Sequence, residues 1–313
     1  MRLSNHFLTV GHMRLICAAF GALVLLCCRD AGRNAGDSSR GSLPPVFSST
    51  SASNTNWDTD AGPVMLVSVG NGTDSAGVVL PELTDSTIGM VQGTRAPVAG
   101  FTFDLFGRGG KVESSKTVTI PDSGIAKPDC DAWPAVGIHA APGWHVGFAK
   151  GHAHAFKLDS IEAMPSRDSA ALAASLAQTA AMLPAASDPT FRGLPFRVRS
   201  AYTFRLDSID VVVADVVRSV NEEANPRLEH LLVIGERTAG TTGRYTVGYY
   251  GRTAGAEETT QATEVLAAVQ IGSTKKPAVV VNVENDEGRN LGLIERVAPG
   301  QWRFVWRSAY TDC

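Results

Sequence analysis

The 313-residue sequence predicts an α+β fold that is mostly antiparallel β, with two β units and one main helix between them. Three observations support this prediction. The stretch 277–310 reads as three strands joined by two tight turns, alternating apolar runs fill the region 63–156, and an alanine-rich run after Pro165 has helical spacing. The stretch 209–220 is compatible with a helix, but its many valines favour a strand.

The C-terminal stretch has the most regular pattern. Its residues alternate with a period of two, which is typical of strands, and this places Trp302, Phe304 and Trp306 on one face of the last strand. Asn285–Gly288 and Pro299-Gly300 supply the residues that let a chain reverse between antiparallel strands. Because exposing large aromatic side chains to water is energetically unfavourable, we expect a second layer to cover this face.

The first half is predicted to be predominantly β. Turn signals such as Asn71-Gly72 and the glycine-rich stretch at 107–110 separate short runs in which apolar residues alternate. The predicted strands are 63–69, 76–82, 99–107, 111–120, 136–140, 143–148 and 152–156.

One main helix is predicted to begin at Pro165–Asp168. Ser166 is expected to cap it, and Asp168 places a negative charge in the first turn, where the helix dipole favours one. Pro184 ends the helix. Its many alanines let it lie close to a sheet, and its apolar stripe consists of Leu172, Leu176, Met182 and Leu183.

The segment from Pro184 to Gly193 is the predicted domain boundary. Residues 29–62 are rich in Ser, Asn, Thr, Gly and Asp, so they cannot bury enough apolar surface to offset the entropy of ordering. The expected parts are a signal peptide at 1–28, a flexible tether at 29–62, a β-rich domain ending in the helix at 63–183, and an antiparallel β domain of about seven strands at 192–313.

The composition is that of an ordinary globular protein. The chain is 44% hydrophobic and 19% charged, with a formal net charge of -3, and is long enough for one large or two modest domains. This near-neutral balance, without a Lys/Arg cluster on any segment, argues against an electrostatic surface for nucleic acid. We therefore expect no nucleic-acid partner.

The N-terminal region contains a signal-like segment. An uncharged run from Leu15 to Cys28 follows Met13-Arg14, and Arg29 and Asp30 restore polarity after it. A bilayer core needs about 20 apolar residues, so a run this short is typical of the hydrophobic part of a signal peptide. We expect export from the cytosol. The first twelve residues resemble an upstream extension, so Met1 and Met13 are alternative starts.

The end of this run, Leu25-Leu26-Cys27-Cys28, resembles the lipobox of bacterial lipoproteins. In that family a signal peptidase cuts before a cysteine that has been lipid-modified. The chain departs from the family pattern because Gly, Ala or Ser usually precedes that cysteine, whereas Cys27 precedes Cys28 here. The resemblance covers this segment alone. It implies a lipid anchor at Cys28, with Cys27 as the alternative site, and a membrane-anchored or periplasmic location in the bacterial cell envelope. Simple secretion is the alternative, and a retained anchor or a cytoplasmic location is the third.

Two cysteines would remain after cleavage before Cys28. These are Cys130 and Cys313, and in an oxidising compartment they can form one disulfide. Such a bridge closes a long loop, which contributes ~4 to 5 kcal/mol in the chain-entropy model. Two free thiols are the alternative.

Three histidines form the most specific polar cluster. If Lys150-Gly151 is a two-residue turn, His145, His152 and His154 share one face of a hairpin. Three imidazoles on one face form a geometry that zinc or copper accepts, with an open fourth position. No Asp or Glu stands at ligand spacing, and a solvated polar face is the alternative interpretation.

Two acidic loops have part of the pattern of a calcium loop. Asn56, Asp58 and Asp60 have the alternate spacing, but Ala61 occupies the position where an EF-hand needs Gly. The strand–loop–strand around Glu284–Gly288 resembles the last blade of FG-GAP-type repeat proteins, without their Asp-x-Asp-Gly-Asp-Gly loop. The resemblance implies calcium binding, and plain solvated turns are the alternative.

The sequence carries no G-x-S-x-G, H-E-x-x-H, P-loop or dinucleotide-binding signature. We therefore expect a non-enzymatic protein that is held to a membrane by a lipid anchor, that has a binding or structural role, and that contacts an envelope protein. The competing hypothesis is a metal-binding protein or metal-dependent hydrolase that uses the three histidines with zinc as cofactor.

Overall fold

The structure is a computed structural model that describes residues 57–91, 93–94, 96–120, 132–184, 188–221 and 225–312. In these ranges the protein is mostly antiparallel β with one main α-helix, as the sequence predicts. None of the helices found there is long and apolar enough to cross a membrane.

The strands of the first half follow the predicted runs. They are β1 Met65–Ser68, β2 Ser75–Val79, β3 Thr102–Gly107, β4 Gly110–Lys116, β5 Ala135–Gly137, β6 Val146–Ala149, β7 Ala153–Phe156 and β8 Asp159–Ser160. The helix α1, Ser166–Met182, comes next. The second half contains β9 Arg197–Leu206, β10 Ile209–Val220, β11 Arg227–Thr238, β12 Thr246–Ala256, β13 Ala262–Ile271, β14 Lys276–Asn285, β15 Gly288–Ala298 and β16 Gln301–Arg307.

These strands form three antiparallel sheets. The front sheet has the order β4-β3-β6-β1-β2-β5, the central sheet β16-β15-β14-β13-β7, and the back sheet β12-β11-β10-β9-β8. The stretch 209–220 is a strand, so the preference for β over helix is confirmed. Consecutive strands are neighbours throughout β9–β12 and β13–β16, where short connections join them, and β8 also lies beside β9 although α1 comes between them in the chain.

The hydrophobic cores show that the layers are stacked. One core joins Val67 of the front sheet to Val280 of the central sheet, and a second joins Val279 of the central sheet to Val211 of the back sheet. A third core joins the back sheet to α1. The central sheet is therefore buried on both faces, which explains why β14 has valines at consecutive positions rather than a polar residue at every second one.

Trp302 and Trp306 lie on opposite faces of the central sheet, so the predicted single aromatic face is wrong. The register between β15 and β16 shifts at Val305, where a β-bulge interrupts the alternation of side chains. Trp306 is fully buried in the core between the front and central sheets. Trp302 is buried in the core between the central and back sheets, with Phe304 partly buried beside it. The expectation that other layers cover these rings is confirmed.

The helix α1 packs on the outer face of the back sheet, against β9 and β10. Pro165 occupies its N-cap position and no side chain caps it, so the predicted capping by Ser166 is wrong. Leu176 and Ala180 are buried against the sheet, whereas Met182 is 56% exposed and lies outside the packed stripe. The small alanine side chains allow this close approach.

Two strands of the first half join sheets that are built by the second half. β7 pairs with β13 in the central sheet, and β8 pairs with β9 in the back sheet. Both pairings cross the predicted boundary at Pro184–Gly193. The division into domains at 63–183 and 192–313 stays a prediction.

Glu236, near the end of β11, links the back sheet to the central sheet. Its carboxylate accepts hydrogen bonds from Arg296 Nε at 2.7 Å, Arg296 Nη2 at 2.8 Å, Trp302 Nε1 at 2.7 Å and the Gly300 amide at 3.0 Å. Burial by itself raises the pKa of Glu236, but the hydrogen bonds from Arg296 and Trp302 outweigh it and leave this pKa below its usual value. The buried charge is therefore well compensated.

Candidate functional site

The three histidines predicted as metal ligands lie around the expected turn. The His152 amide donates a hydrogen bond to the Ala149 carbonyl at 2.9 Å, and Gly151 has the positive φ that such a turn requires. Beyond the turn the strands separate, because β6 lies between β3 and β1 in the front sheet while β7 pairs with β13 in the central sheet. The strands on either side of this turn therefore do not form the predicted hairpin.

The histidines also differ in their surroundings. His145 is half-buried, and burial lowers its pKa, with the Arg108 charge acting in the same direction and Glu264 opposing it. His152 and His154 are exposed, and His152 Nδ1 lies 3.0 Å from the Asp60 carbonyl oxygen. In the part of the chain that the structure describes, no group of three or more His, Cys, Asp or Glu residues is placed to hold a metal ion. The geometry adds no support to the predicted metal site.

Several predicted sites cannot be placed. Cys27, Cys28, Cys130, Cys313 and Asn56 lie outside the described residues. Lipidation at Cys28 and the Cys130–Cys313 disulfide therefore stay predictions.

The carboxylates of the first acidic loop contact side chains of the body. Lys276 Nζ lies 2.5 Å from Asp58 Oδ2, and this hydrogen bond is the main reason why the pKa of Asp58 is lowered. Asp60 Oδ2 accepts a hydrogen bond from Ser273 Oγ at 2.9 Å. The Trp57 ring packs against the Trp306 ring with 4.6 Å between centroids. The last residues of the predicted tether, 57–62, therefore lie against the body.

A groove of about 440 Å³ runs along α1 on the back of the molecule. One wall is the helix, from Asp168 to Ser175, and the other is the loop that joins β11 to β12, with Arg237 and Tyr245 at its base. A smaller depression of about 240 Å³ continues from it and shares Arg237 and Tyr245. A concave surface of this size is sufficient for a small ligand.

Arg237 stands where the two depressions meet. Its guanidinium lies 4.4 Å from the centroid of the Tyr245 ring, and its Nε lies 3.5 Å from Asp210 Oδ2. Arg205 Nη2 lies closer to the same carboxylate, at 2.8 Å from Oδ1. Burial raises the pKa of Tyr245, and the Arg237 charge opposes this rise. The Asp210 carboxylate thus pairs with two guanidinium groups. It therefore balances only part of the positive charge of Arg237.

Arg244 closes one end of the groove. Its Nη2 donates to Gln178 Oε1 at 2.9 Å, and its Nη1 lies 3.9 Å from the sulfur of Met182. Both partners are neutral, so neither of them balances the positive charge of the guanidinium. Asp168 lies at the other end, in the first turn of α1. The groove is therefore positive at one end and negative at the other.

A buried ionic cluster lies near the C-terminal end of α1. Glu229, which is fully buried, contacts the guanidinium groups of both Arg218 and Arg252. Arg252 also donates to the Pro184 carbonyl at 2.8 Å, two residues beyond the end of α1, and Arg218 lies 4.6 Å from the centroid of the Phe196 ring. Burial lowers the pKa of Arg252 to about 10, with the Arg218 charge acting in the same direction. The cluster holds the segment that leads out of the helix.

A second buried cluster lies between the back and central sheets. His230 Nδ1 is 3.3 Å from both carboxylate oxygens of Asp215, and Arg199 Nε is 2.9 Å from Asp215 Oδ2. The cavity beside His230 measures about 40 Å³ and is also lined by Tyr249 and Thr253. This volume holds one or two water molecules rather than a substrate. We assign the cluster a structural role.

The groove is not apparent from the sequence. Arg237 and Arg244 bracket a loop rich in Gly and Thr. The pair of arginines is a local signal for an anion-binding loop. The opposite wall, α1, is more than 50 residues away in the chain, so no local pattern joins the two.

The fold and the groove define a β-rich α+β protein of three stacked sheets with an open groove of mixed charge beside its one main helix in the described ranges. No family model matches the chain, and it matches neither a curated protein nor a solved structure.

Proposed function

We propose that this protein is lipid-anchored in the bacterial cell envelope, exposed outside the cytosol, and acts there by binding a partner. The observation that carries the proposal is the uncharged run Leu15–Cys28, flanked by Arg14 and Arg29 and ending in a cysteine. Lipid modification of Cys28 holds the chain at the membrane, and the polar segment that follows lets the folded part stand away from the surface.

The groove along α1 is the binding surface in this proposal. It is open and it carries charges of both signs. An envelope protein or a small molecule released in the envelope meets this surface directly.

Replacement of Cys28 by serine is expected to abolish lipid labelling, because the thiol is the acceptor of the lipid. The measurement is metabolic labelling of the full chain in bacteria with a palmitate analogue, followed by detection of the label on the purified protein. Cys27→Ser is the matched control and is expected to keep the label. Globomycin, which blocks the lipoprotein signal peptidase, is expected to cause the longer precursor to accumulate. Undiminished label on the Cys28→Ser variant contradicts the proposed anchor.

A further inference from the structure

We propose that the groove along α1 binds a short peptide in an extended conformation, with its ammonium group near Asp168 and its carboxylate near Arg244. The inference rests on the binding role proposed above and names the ligand of the same groove. It does not depend on the lipid anchor.

The distance between the two charged groups, Asp168 and Arg244, selects the length of the ligand. Asp168 and Gln178, the residue that holds Arg244, are ten positions apart on α1, which corresponds to about 15 Å along the helix axis. An extended chain advances roughly 3.3–3.6 Å per residue, so about four residues span the distance between the two charged ends. The groove volume of about 440 Å³ lies within the range of small-ligand sites.

The charges at the two ends fit the two termini of a peptide. In the described part of the chain, no carboxylate forms an ion pair with Arg244 and no cation forms one with Asp168. The planar guanidinium of Arg244 has donors suited to a carboxylate, and the Asp168 carboxylate accepts from an ammonium group. A fully anionic ligand would meet repulsion from Asp168, which disfavours a phosphate compound.

The middle of the groove fits a peptide backbone and its side chains. Ala171 and Leu172 provide an apolar strip on the helix wall, and Thr242 on the facing loop provides a hydroxyl group. Arg237, whose compensation by Asp210 is incomplete, provides donors for peptide carbonyl oxygens. Apolar contact in the centre with charged groups at both ends is the pattern expected for a small peptide.

The test uses tetraalanine and the full-length protein in detergent, with binding measured by isothermal titration calorimetry. Amidation of the peptide carboxylate and acetylation of its amino group are each expected to weaken binding about tenfold, because each removes one charge-assisted contact. Dialanine, which cannot reach both ends, is expected to bind at least tenfold more weakly than tetraalanine.

Variants then assign each terminus to a residue. In Arg244→Gln the amidated and free peptides are expected to bind within twofold of each other, while acetylation keeps its tenfold effect. In Asp168→Asn the acetylated and free peptides are expected to bind within twofold of each other, while amidation keeps its tenfold effect. Arg192→Gln, an exposed arginine outside the groove, is the matched control and should behave as the wild type. The thermal midpoint of each variant, measured in parallel, shows whether it is folded.

Three outcomes overturn the proposal. They are the absence of binding at millimolar tetraalanine, blocking groups that have no effect on the wild-type protein, and selectivity that does not change in Arg244→Gln or Asp168→Asn. Lipid labelling that persists in such a case leaves the proposed anchor intact. Loss of label with peptide binding retained rejects the anchor and leaves the peptide site intact.

Discussion

Glu229→Ala is expected to lower the free energy of unfolding by about 3–5 kcal/mol, because it leaves two arginines buried without their shared carboxylate. Arg252 also donates to the carbonyl of Pro184, so we expect loss of Glu229 to loosen the segment that follows α1 as well. The measurement is the midpoint of chemical denaturation in guanidinium chloride.

The control for this prediction is Glu258→Ala, which removes an exposed glutamate and is expected to change stability by less than about 0.5 kcal/mol. A second variant replaces Arg218, Glu229 and Arg252 together by leucine. It is expected to be more stable than Glu229→Ala alone, because no buried charge is left unpaired. A Glu229→Ala protein that unfolds at the wild-type midpoint would show that the cluster is not buried in solution.

Glu236→Ala is expected to have an effect of similar size, about 3–5 kcal/mol, because the carboxylate accepts four hydrogen bonds that join the back sheet to the central sheet. Its loss leaves the Arg296 guanidinium and the Trp302 indole N–H buried without an acceptor. The measurement is the midpoint of chemical denaturation in guanidinium chloride. If this midpoint stays at the wild-type value, the link between the sheets is not made by Glu236.

The same residue predicts a pH dependence. The folded-state pKa of Glu236 lies below its usual value of 4.5, so the group contributes stability that is fully present above this pH. That contribution is lost as the pH falls through the lower, folded-state pKa. We expect the wild-type midpoint to decline below about pH 4.5, and the Glu236→Gln midpoint to decline less over the same range. Parallel curves for the two proteins contradict the assignment.

Local alternation predicted the strands well. The valines of 209–220 indicated β10, and the runs before Pro165 indicated the positions of β1 to β7. The helix was predicted at the correct place, because an alanine-rich run with apolar residues at helical spacing has few alternatives. Its cap was wrong, since Pro165 rather than Ser166 occupies that position.

Side-chain direction was harder to predict where the pattern is interrupted. Residues 302–306 alternate perfectly in the sequence, yet the bulge at Val305 turns Trp306 to the other face. The turn at Lys150-Gly151 was predicted correctly, but β6 and β7 pair with strands of different sheets. A local pattern contains no information about which distant strand becomes the partner.

The sequence by itself determined that this protein is built of antiparallel strands and one main helix, because period-two and helical apolar patterns reflect burial along a single segment. Only the tertiary structure decided how three sheets stack and where a groove forms. Asp168 and Arg244 face one groove because α1 packs on the back sheet beside the β11–β12 loop, and such a contact between distant segments leaves no trace in local residue spacing.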